Sequence, residues 1–419
     1  MNDFHYQNGE LWCEEVPVRV LSESAGTPLY VYSHRTLKRH FQVFDNAFAD
    51  MKHLICFSVK ANSNIAILRL FMKEGGGADI VSGGELYRAL QAGADPGRIV
   101  YSGVGKKNDE IEFAIRSNIL MFNVESSEEL EAINAVAGRL GSRARISIRI
   151  NPDVDAKTHP HISTGLKKNK FGIDIEKSLE EYRRARDFKN IEIIGVDCHI
   201  GSQVTQISPF VDALEKLKNF INLLKKDGIE IKYLDLGGGL GITYNQENPP
   251  HPDEYAQAIK KAAAGLDCTF ILEPGRVIVG NAGALVSRVL FTKSNGEKNF
   301  IIVDAGMNDL IRPSLYDSFH RIISVVPNKD EETLKADIVG PICESGDFLA
   351  KDRAVPGYRS GDLIAVMSAG AYGFTMSSNY NSRPRAAEVM VKDDKFYVIR
   401  RREDYQDLVR GEEIPEFLK

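Results

Sequence analysis

His53-Leu54-Ile55-Cys56-Phe57-Ser58-Val59-Lys60 is followed at once by the polar turn Ala61-Asn62-Ser63-Asn64 and then by Ile65-Ala66-Ile67-Leu68-Arg69-Leu70-Phe71. The first segment is an apolar run of strand length, and the last carries apolar residues at helical spacing. Strand, turn and helix in this order make one βα unit, and the unit recurs. Further candidate strands are Ala78–Ser82, Ile99–Ser102, Ile119–Val124, Arg145–Ile150, Ile193–His199, Ile231–Leu236 and Thr269–Glu273, so that Leu54–Val59 is the first of eight. Helix-like segments lie between them, such as Gly84-Glu85-Leu86-Tyr87-Arg88-Ala89-Leu90. Ser126-Ser127-Glu128-Glu129-Leu130 has the serine cap and acidic first turn of a helix start. Alternating β and α units imply a parallel sheet, and eight of them predict a TIM-like (β/α)8 barrel over residues 26–277. An open doubly wound sheet is the alternative.

After Pro274 the pattern changes. Ala284–Phe291, Asn299–Val303, Arg321–Val326, Asp337–Ile342, Leu363–Met367, Ala386–Val391 and Lys395–Arg400 are strand-like, with turns such as Ser294-Asn295-Gly296 and Lys392-Asp393-Asp394. Few intervals can hold a helix, so residues 278–419 are expected to form a mostly antiparallel β-sandwich or barrel domain. Residues 1–25 show no helical pattern and are assigned to the same domain, with Glu10–Val20 able to supply a strand.

The chain has 419 residues, too many for one ordinary core, which agrees with two domains. A net charge of −5 gives no electrostatic footprint for nucleic acid or an anionic membrane. No apolar stretch is long enough for a membrane span, and Met1–Glu15 is acidic and lacks a signal peptide's apolar core. A cytoplasmic protein is expected. The five cysteines, Cys13, Cys56, Cys198, Cys268 and Cys343, are scattered without a C-x-x-C pair, which argues against a disulfide framework or zinc site. His159 and His161 flank Pro160, but no third ligand is evident and no metal is expected.

In a βα barrel the active site gathers at the C-terminal ends of the strands. Here those ends carry Lys60, Ser82-Gly83-Gly84, Ser102-Gly103, Glu125, Asn151, His199-Ile200-Gly201-Ser202, Gly237-Gly238-Gly239 and Glu273-Pro274-Gly275-Arg276. Each has a bland reading. Lys60 can snorkel to water, the glycine run can be a tight turn, Glu273 can pair with Arg276, and His199 can be a core histidine. Arg312 and Tyr316 can be a helix-surface pair, and Cys343 a core residue. The full set is hard to obtain from structural demands alone. A desolvated lysine is a nucleophile toward carbonyls, glycine loops offer N–H groups to a phosphate, and a carboxylate can hold a pyridine nitrogen protonated. Pyridoxal 5'-phosphate has the carbonyl, the phosphate and the ring together.

The chain resembles the fold-type III pyridoxal-phosphate-dependent decarboxylases, and among them the diaminopimelate decarboxylase family. The resemblance lies in Phe57–Asn62, Asp79–Leu86, Thr164-Gly165-Leu166, Lys170-Phe171-Gly172, Cys198–Gln203, Leu236–Gly239, Glu273–Arg276, Gly340–Asp347 and Ala369–Tyr372. The Gly340–Asp347 stretch is the most specific, because it separates this family from ornithine and arginine decarboxylases. The resemblance implies decarboxylation of meso-2,6-diaminopimelate to L-lysine and CO2, the last step of lysine biosynthesis. It implies that Lys60 holds the cofactor as a Schiff base, His199 stacks on its ring and Glu273 faces the pyridine nitrogen. Ser202, Gly238, Gly239, Pro274, Gly275, Arg276 and Tyr372 bind the cofactor; Arg276, Arg312, Tyr316, Glu344 and Tyr372 bind substrate. Cys343, supplied by the other subunit of a homodimer with shared active sites, returns the proton. Alternatives are a decarboxylase of another basic amino acid or a carboxyspermidine, a catalytically silent regulatory homologue, or a metal-dependent barrel hydrolase.

Overall fold

Eight short strands, each buried along most of its length, succeed one another from residue 53: β1 (His53–Ser58), β2 (Gly77–Ile80), β3 (Ile99–Tyr101), β4 (Met121–Val124), β5 (Ala144–Asn151), β6 (Ile191–Asp197), β7 (Tyr233–Asp235) and β8 (Thr269–Leu272). All pair in parallel with their neighbours in the chain, and β8 returns to β1, which closes the barrel. Closure leaves no open sheet edge and excludes the doubly wound alternative. All eight expected strands form. The computed structural model describes residues 2–155, 169–327 and 332–419.

The intervening helices begin where their capping residues dictate. Asn64, Ser82 and Ser126 each accept a backbone N–H of the first turn in the helices Ile65–Lys73, Gly83–Gln91 and Ser127–Arg139. The last is the capped start read from the sequence.

Two compact units divide the chain: residues 38–278, which hold the barrel, and residues 1–37 with 279–419. In the second unit the long strand Gly283–Ser294 pairs antiparallel with Asn299–Val303, Leu363–Val366 and Leu29–Ser33. The sheet runs on through Thr333–Val339 to Phe348–Pro356 on one side, and through Ala387–Lys392 to Lys395–Arg400 on the other. Most pairs are antiparallel; Asn299–Val303 with Thr333–Val339 and Leu29–Ser33 with Ala387–Lys392 are parallel. Leu29, Val31, Ala284, Val286, Ala365 and Val389 pack in its core.

Three expectations need correction. The barrel was expected to begin at residue 26, yet Leu29–Ser33 is a fully buried strand of the β unit, so the division falls after Leu37. Residues 1–25 do contain a helix, Val18–Ala25, with no side-chain cap and no acidic first turn to announce it. Glu10–Cys13 is a strand, but it pairs with Phe4–Gln7 and Val16–Pro17 in a separate three-stranded sheet. The edge strand Phe348–Pro356 was missed because Lys351, Asp352 and Arg353 interrupt its apolar pattern, as charge on an edge does.

Candidate active site

Lys60 does not end the strand itself. β1 stops at Ser58, and Val59–Ala61 form one 3-10 turn that carries the lysine past the barrel rim. Its side chain keeps about a third of its exposure, less buried than the apolar run suggested, and is held instead by an ion pair: Nζ lies 2.6 Å from Oδ2 of the fully buried Asp79. Ser58 Oγ donates to the same oxygen at 2.8 Å. Asp79 stands alone among apolar residues in β2, Gly77-Ala78-Asp79-Ile80.

The loops after β6 and β7 are joined to each other. Val204 N donates to the Gly239 carbonyl and Gly241 N to the Val204 carbonyl. Gln203, with φ of 57°, clasps Ile242 from both sides, donating to its carbonyl at 2.6 Å and accepting its N–H at 3.1 Å. The glycines are needed here. A Cβ on Gly238 would overlap the Glu273 carbonyl, and one on Gly239, where φ is 116°, would overlap the Gly201 carbonyl. Gly275 sits against the Ser58 and Ala61 side chains.

His199 accepts the Gly238 N–H on Nδ1 at 3.1 Å. An N–H donor requires a lone pair there, so the ring is neutral with its proton on Nε2. Burial, Arg149 and Lys60 all push its pKa well below the usual histidine value, in the same direction. Arg276 is buried and donates from Nη1 to Tyr244 Oη at 2.7 Å and from Nη2 to Ser202 Oγ at 3.2 Å. Two loops and the start of the segment after β8 thus meet at one guanidinium.

Beneath this rim the barrel interior is polar. Asn123 on β4 donates to Asp235 Oδ2 and to Ser102 Oγ, each at 3.0 Å, and accepts from Ser147 Oγ at 2.6 Å. Ser102 Oγ in turn lies 3.5 Å from Glu273 Oε1. Burial, with Asp235, Asp79 and Asp197 close by, pushes the Glu273 carboxyl well above the usual range, against the opposing pull of Lys60. Asp235 is pushed up to about 6, chiefly by burial. Arg149, fully buried, balances part of this charge through Glu125 Oε1 at 3.0 Å and Asp197 Oδ2 at 3.9 Å. Its guanidinium also lies over the Phe171 ring. Among the described residues, no group of three His, Cys, Asp or Glu is disposed to hold a metal. His159, His161 and Thr164-Gly165-Leu166 lie outside the described residues.

The β unit holds the remaining candidates. Arg312 opens the short helix Arg312–Tyr316 and is buried, not on its surface; its guanidinium lies over the Tyr316 ring. Ser314 Oγ donates to the Gly346 carbonyl at 2.6 Å, which joins this helix to the loop bearing Cys343 and Glu344. Asp347 shapes that loop by accepting Ile342 N at 2.7 Å and Met307 N at 2.6 Å. Cys343 is exposed, whereas the other four cysteines are buried. Its N–H donates to Asn381 Oδ1 at 2.7 Å, and Tyr380 Oη donates to Glu344 Oε2 at 3.2 Å. Tyr372 has φ of 55°, in the left-handed region that a bulky side chain rarely adopts.

The structure therefore brings Lys60, His199, Ser202, Gly238, Gly239, Glu273, Pro274, Gly275 and Arg276 to one end of the barrel unit, and joins the Arg312 helix to the Cys343 loop in the other. Sequence reasoning gave no role to Asp79, Asn123, Asp235 or Tyr244. The signal for the first three was a polar residue inside an otherwise apolar strand.

A family model described as the pyridoxal binding domain of pyridoxal-dependent decarboxylases matches residues 34–280, and the chain belongs to this family. It is similar to a diaminopimelate decarboxylase of Vibrio cholerae, 53% identical over 97% of this chain and 98% of that one. Among solved structures it is similar to a diaminopimelate decarboxylase from Helicobacter pylori complexed with L-lysine, at TM-score 0.91 and 47% identity over 94% of this chain and 98% of that chain. A second, from M. jannaschii in co-complex with L-lysine, matches with TM-score 0.95 and 38% identity over the full length of both chains. The residues present fit pyridoxal phosphate. An amine stands one turn past a strand end over a buried carboxylate, a glycine cradle lies beside a guanidinium and a hydroxyl, and the buried Glu273 carboxyl follows β8.

Proposed function

We propose that this chain decarboxylates meso-2,6-diaminopimelate to L-lysine and CO2 with pyridoxal phosphate. The observation that carries the reading is Lys60, held over buried Asp79 at the rim where the glycine loops, Arg276 and Glu273 converge. The full-length relatives of the family point to the same substrate.

Pyridoxal phosphate, when bound, supplies an aldehyde for an amine and a protonated ring that accepts the electron pair left behind by CO2. Asp79 orients the Lys60 amine and takes up its charge. Neutral His199 offers the ring an uncharged flat face, since Gly238 N–H occupies its Nδ1. Ser202, Gly239 and the Gly275-Arg276 backbone would hold the phosphate through hydroxyl and N–H donors, and Gly238, whose own N–H is given to His199, would let the backbone approach it closely. Glu273, costly to ionise among buried carboxylates, would face the pyridine nitrogen, whose positive charge when protonated would favour its ionised form.

Arg312 and Tyr316 take the distal carboxylate of the substrate and Glu344 its distal ammonium, while Tyr372 contacts both substrate and cofactor. Cys343 donates the proton that replaces CO2, from the partner subunit of a homodimer. The expected setting is the cytoplasm; among the described residues no helix is long and apolar enough to cross a membrane. Purified protein should be yellow and release CO2 from meso-diaminopimelate but not from ornithine. Release from ornithine at a comparable rate would overturn the substrate assignment.

A further inference from the structure

His320 is fully buried at the entry to strand Ile322–Ser324, and both of its ring nitrogens are engaged. Nδ1 lies 2.9 Å from the Met367 carbonyl oxygen. That oxygen can only accept, so Nδ1 carries the proton. On the other side, Arg312 Nε donates to His320 Nε2 at 3.3 Å. A guanidinium can only donate, so Nε2 presents a lone pair. The two contacts permit one state of the ring: neutral, protonated on Nδ1, and an acceptor toward Arg312.

The acceptor is itself well anchored. The His320 carbonyl accepts from Arg353 Nη1 at 3.0 Å, and Arg353 lies over the Phe319 ring. Met367 N donates to the Arg321 carbonyl at 2.8 Å, next to the pairing of Ile322–Ser324 with Leu363–Val366. At Arg312, Ser318 Oγ accepts from Nη2 at 3.2 Å. With Nε and Nη2 both directed, the plane of the guanidinium is set. Two-point binding of a carboxylate depends on that plane.

We propose that His320 is a positioning residue that sets affinity and selectivity for the substrate's second carboxylate by fixing the Arg312 guanidinium. The proposal rests on the assignment of Arg312 to the distal carboxylate of diaminopimelate. That carboxylate survives the reaction in L-lysine and is missing from 1,5-diaminopentane, so these two ligands differ by the group in question.

The test measures both ligands on the holoenzyme, through the cofactor's visible absorbance and through inhibition. His320→Leu removes the acceptor. His320→Gln restores an amide oxygen for Arg312 and an N–H for the Met367 carbonyl. In His320→Leu the KM for meso-diaminopimelate and the Kd for L-lysine should rise about 10- to 100-fold, as loss of a buried hydrogen bond to a charged group predicts. The Kd for 1,5-diaminopentane should move less than about threefold, because Arg312 does not touch it. His320→Gln should recover most of the loss. Equal weakening of both ligands, or a defect that glutamine leaves in place, overturns the proposal. If the leucine variant does not fold, His320→Asn replaces it: asparagine reaches Met367 but not Arg312, and an unchanged lysine-to-diaminopentane ratio there overturns the proposal equally. The ratio is read from binding, so it stands apart from wild-type failure to release CO2, which would refute the decarboxylase reading instead.

Discussion

The barrel unit and the β unit handle the charge of their candidate groups differently. Inside the barrel, Asp79, Asp197, Asp235, Glu273, Glu125 and Arg149 are all buried, on strands or just beyond their ends. The β unit places much of its charge at the surface, as where Arg35 meets Glu15 at 2.6 Å and Asp393 at 3.0 Å with both partners exposed. Its candidate groups Cys343 and Glu344 are exposed on a loop that Asp347 and Asn381 shape. The difference teaches a division of labour. A closed parallel barrel can hold unfavourable charge rigidly, which suits a cofactor whose electronics must be tuned. A loop on a β scaffold can carry groups that meet a substrate or a second subunit.

The largest expected effect separates the two units by what each loses. Lys60→Ala should take turnover to background and remove the lysine-linked visible absorbance of the cofactor. Cys343→Ala should keep that absorbance and lower turnover by about 10^2- to 10^4-fold, the range for a lost proton donor. Spectra and single-turnover CO2 release on both variants decide it. Loss of colour in the cysteine variant would break the division.

Buried against exposed charge sharpens the comparison next. Arg149→Met strips the cation from Glu125 and Asp197, and breaking such a buried set costs about 3–5 kcal/mol. Arg35→Met removes exposed ion pairs to Glu15 and Asp393 and a longer contact, at 4.0 Å, to buried Glu14, together worth about 1 kcal/mol. Urea unfolding should show a large fall in midpoint for the first and a small one for the second; equal falls would contradict the contrast.

The same contrast explains what could be read from the chain. Each barrel unit is local: a strand, its turn and its helix follow one another directly along the chain, so periodicity and capping suffice. The β unit is built from distant pairings, and nothing near Leu29–Ser33 announces that its partners are Gly283–Ser294 and Ala387–Lys392. Residues just past strand ends, such as Lys60, His199 and Glu273, were legible because a barrel has a functional end. Asp79, Asn123 and Asp235 were not, because which face of a strand turns inward depends on closure. His320 was invisible for a different reason: its role lies in two hydrogen bonds across 8 and 47 residues of sequence.

The last comparison asks whether a buried carboxyl of the β unit carries a cost like those of the barrel. Asp309 is buried, accepts the Gly306 N–H at 3.0 Å, and has its carboxyl pushed up to about 7, mainly by burial. A raised carboxyl pKa means that the folded state holds the proton more tightly than the unfolded chain. The stability from this group is therefore fully present below the unfolded value near 4 and is lost as pH rises through about 7. A shift of this size corresponds to at most about 4 kcal/mol. Asp309→Asn keeps an acceptor for Gly306 and cannot ionise, so the variant should gain on the wild type as pH rises from 4 to 8, with the gain levelling off above the folded pKa. Tm measured against pH for both proteins tests this. Parallel curves would mean that Asp309 ionises without penalty, unlike the buried carboxyls of the barrel.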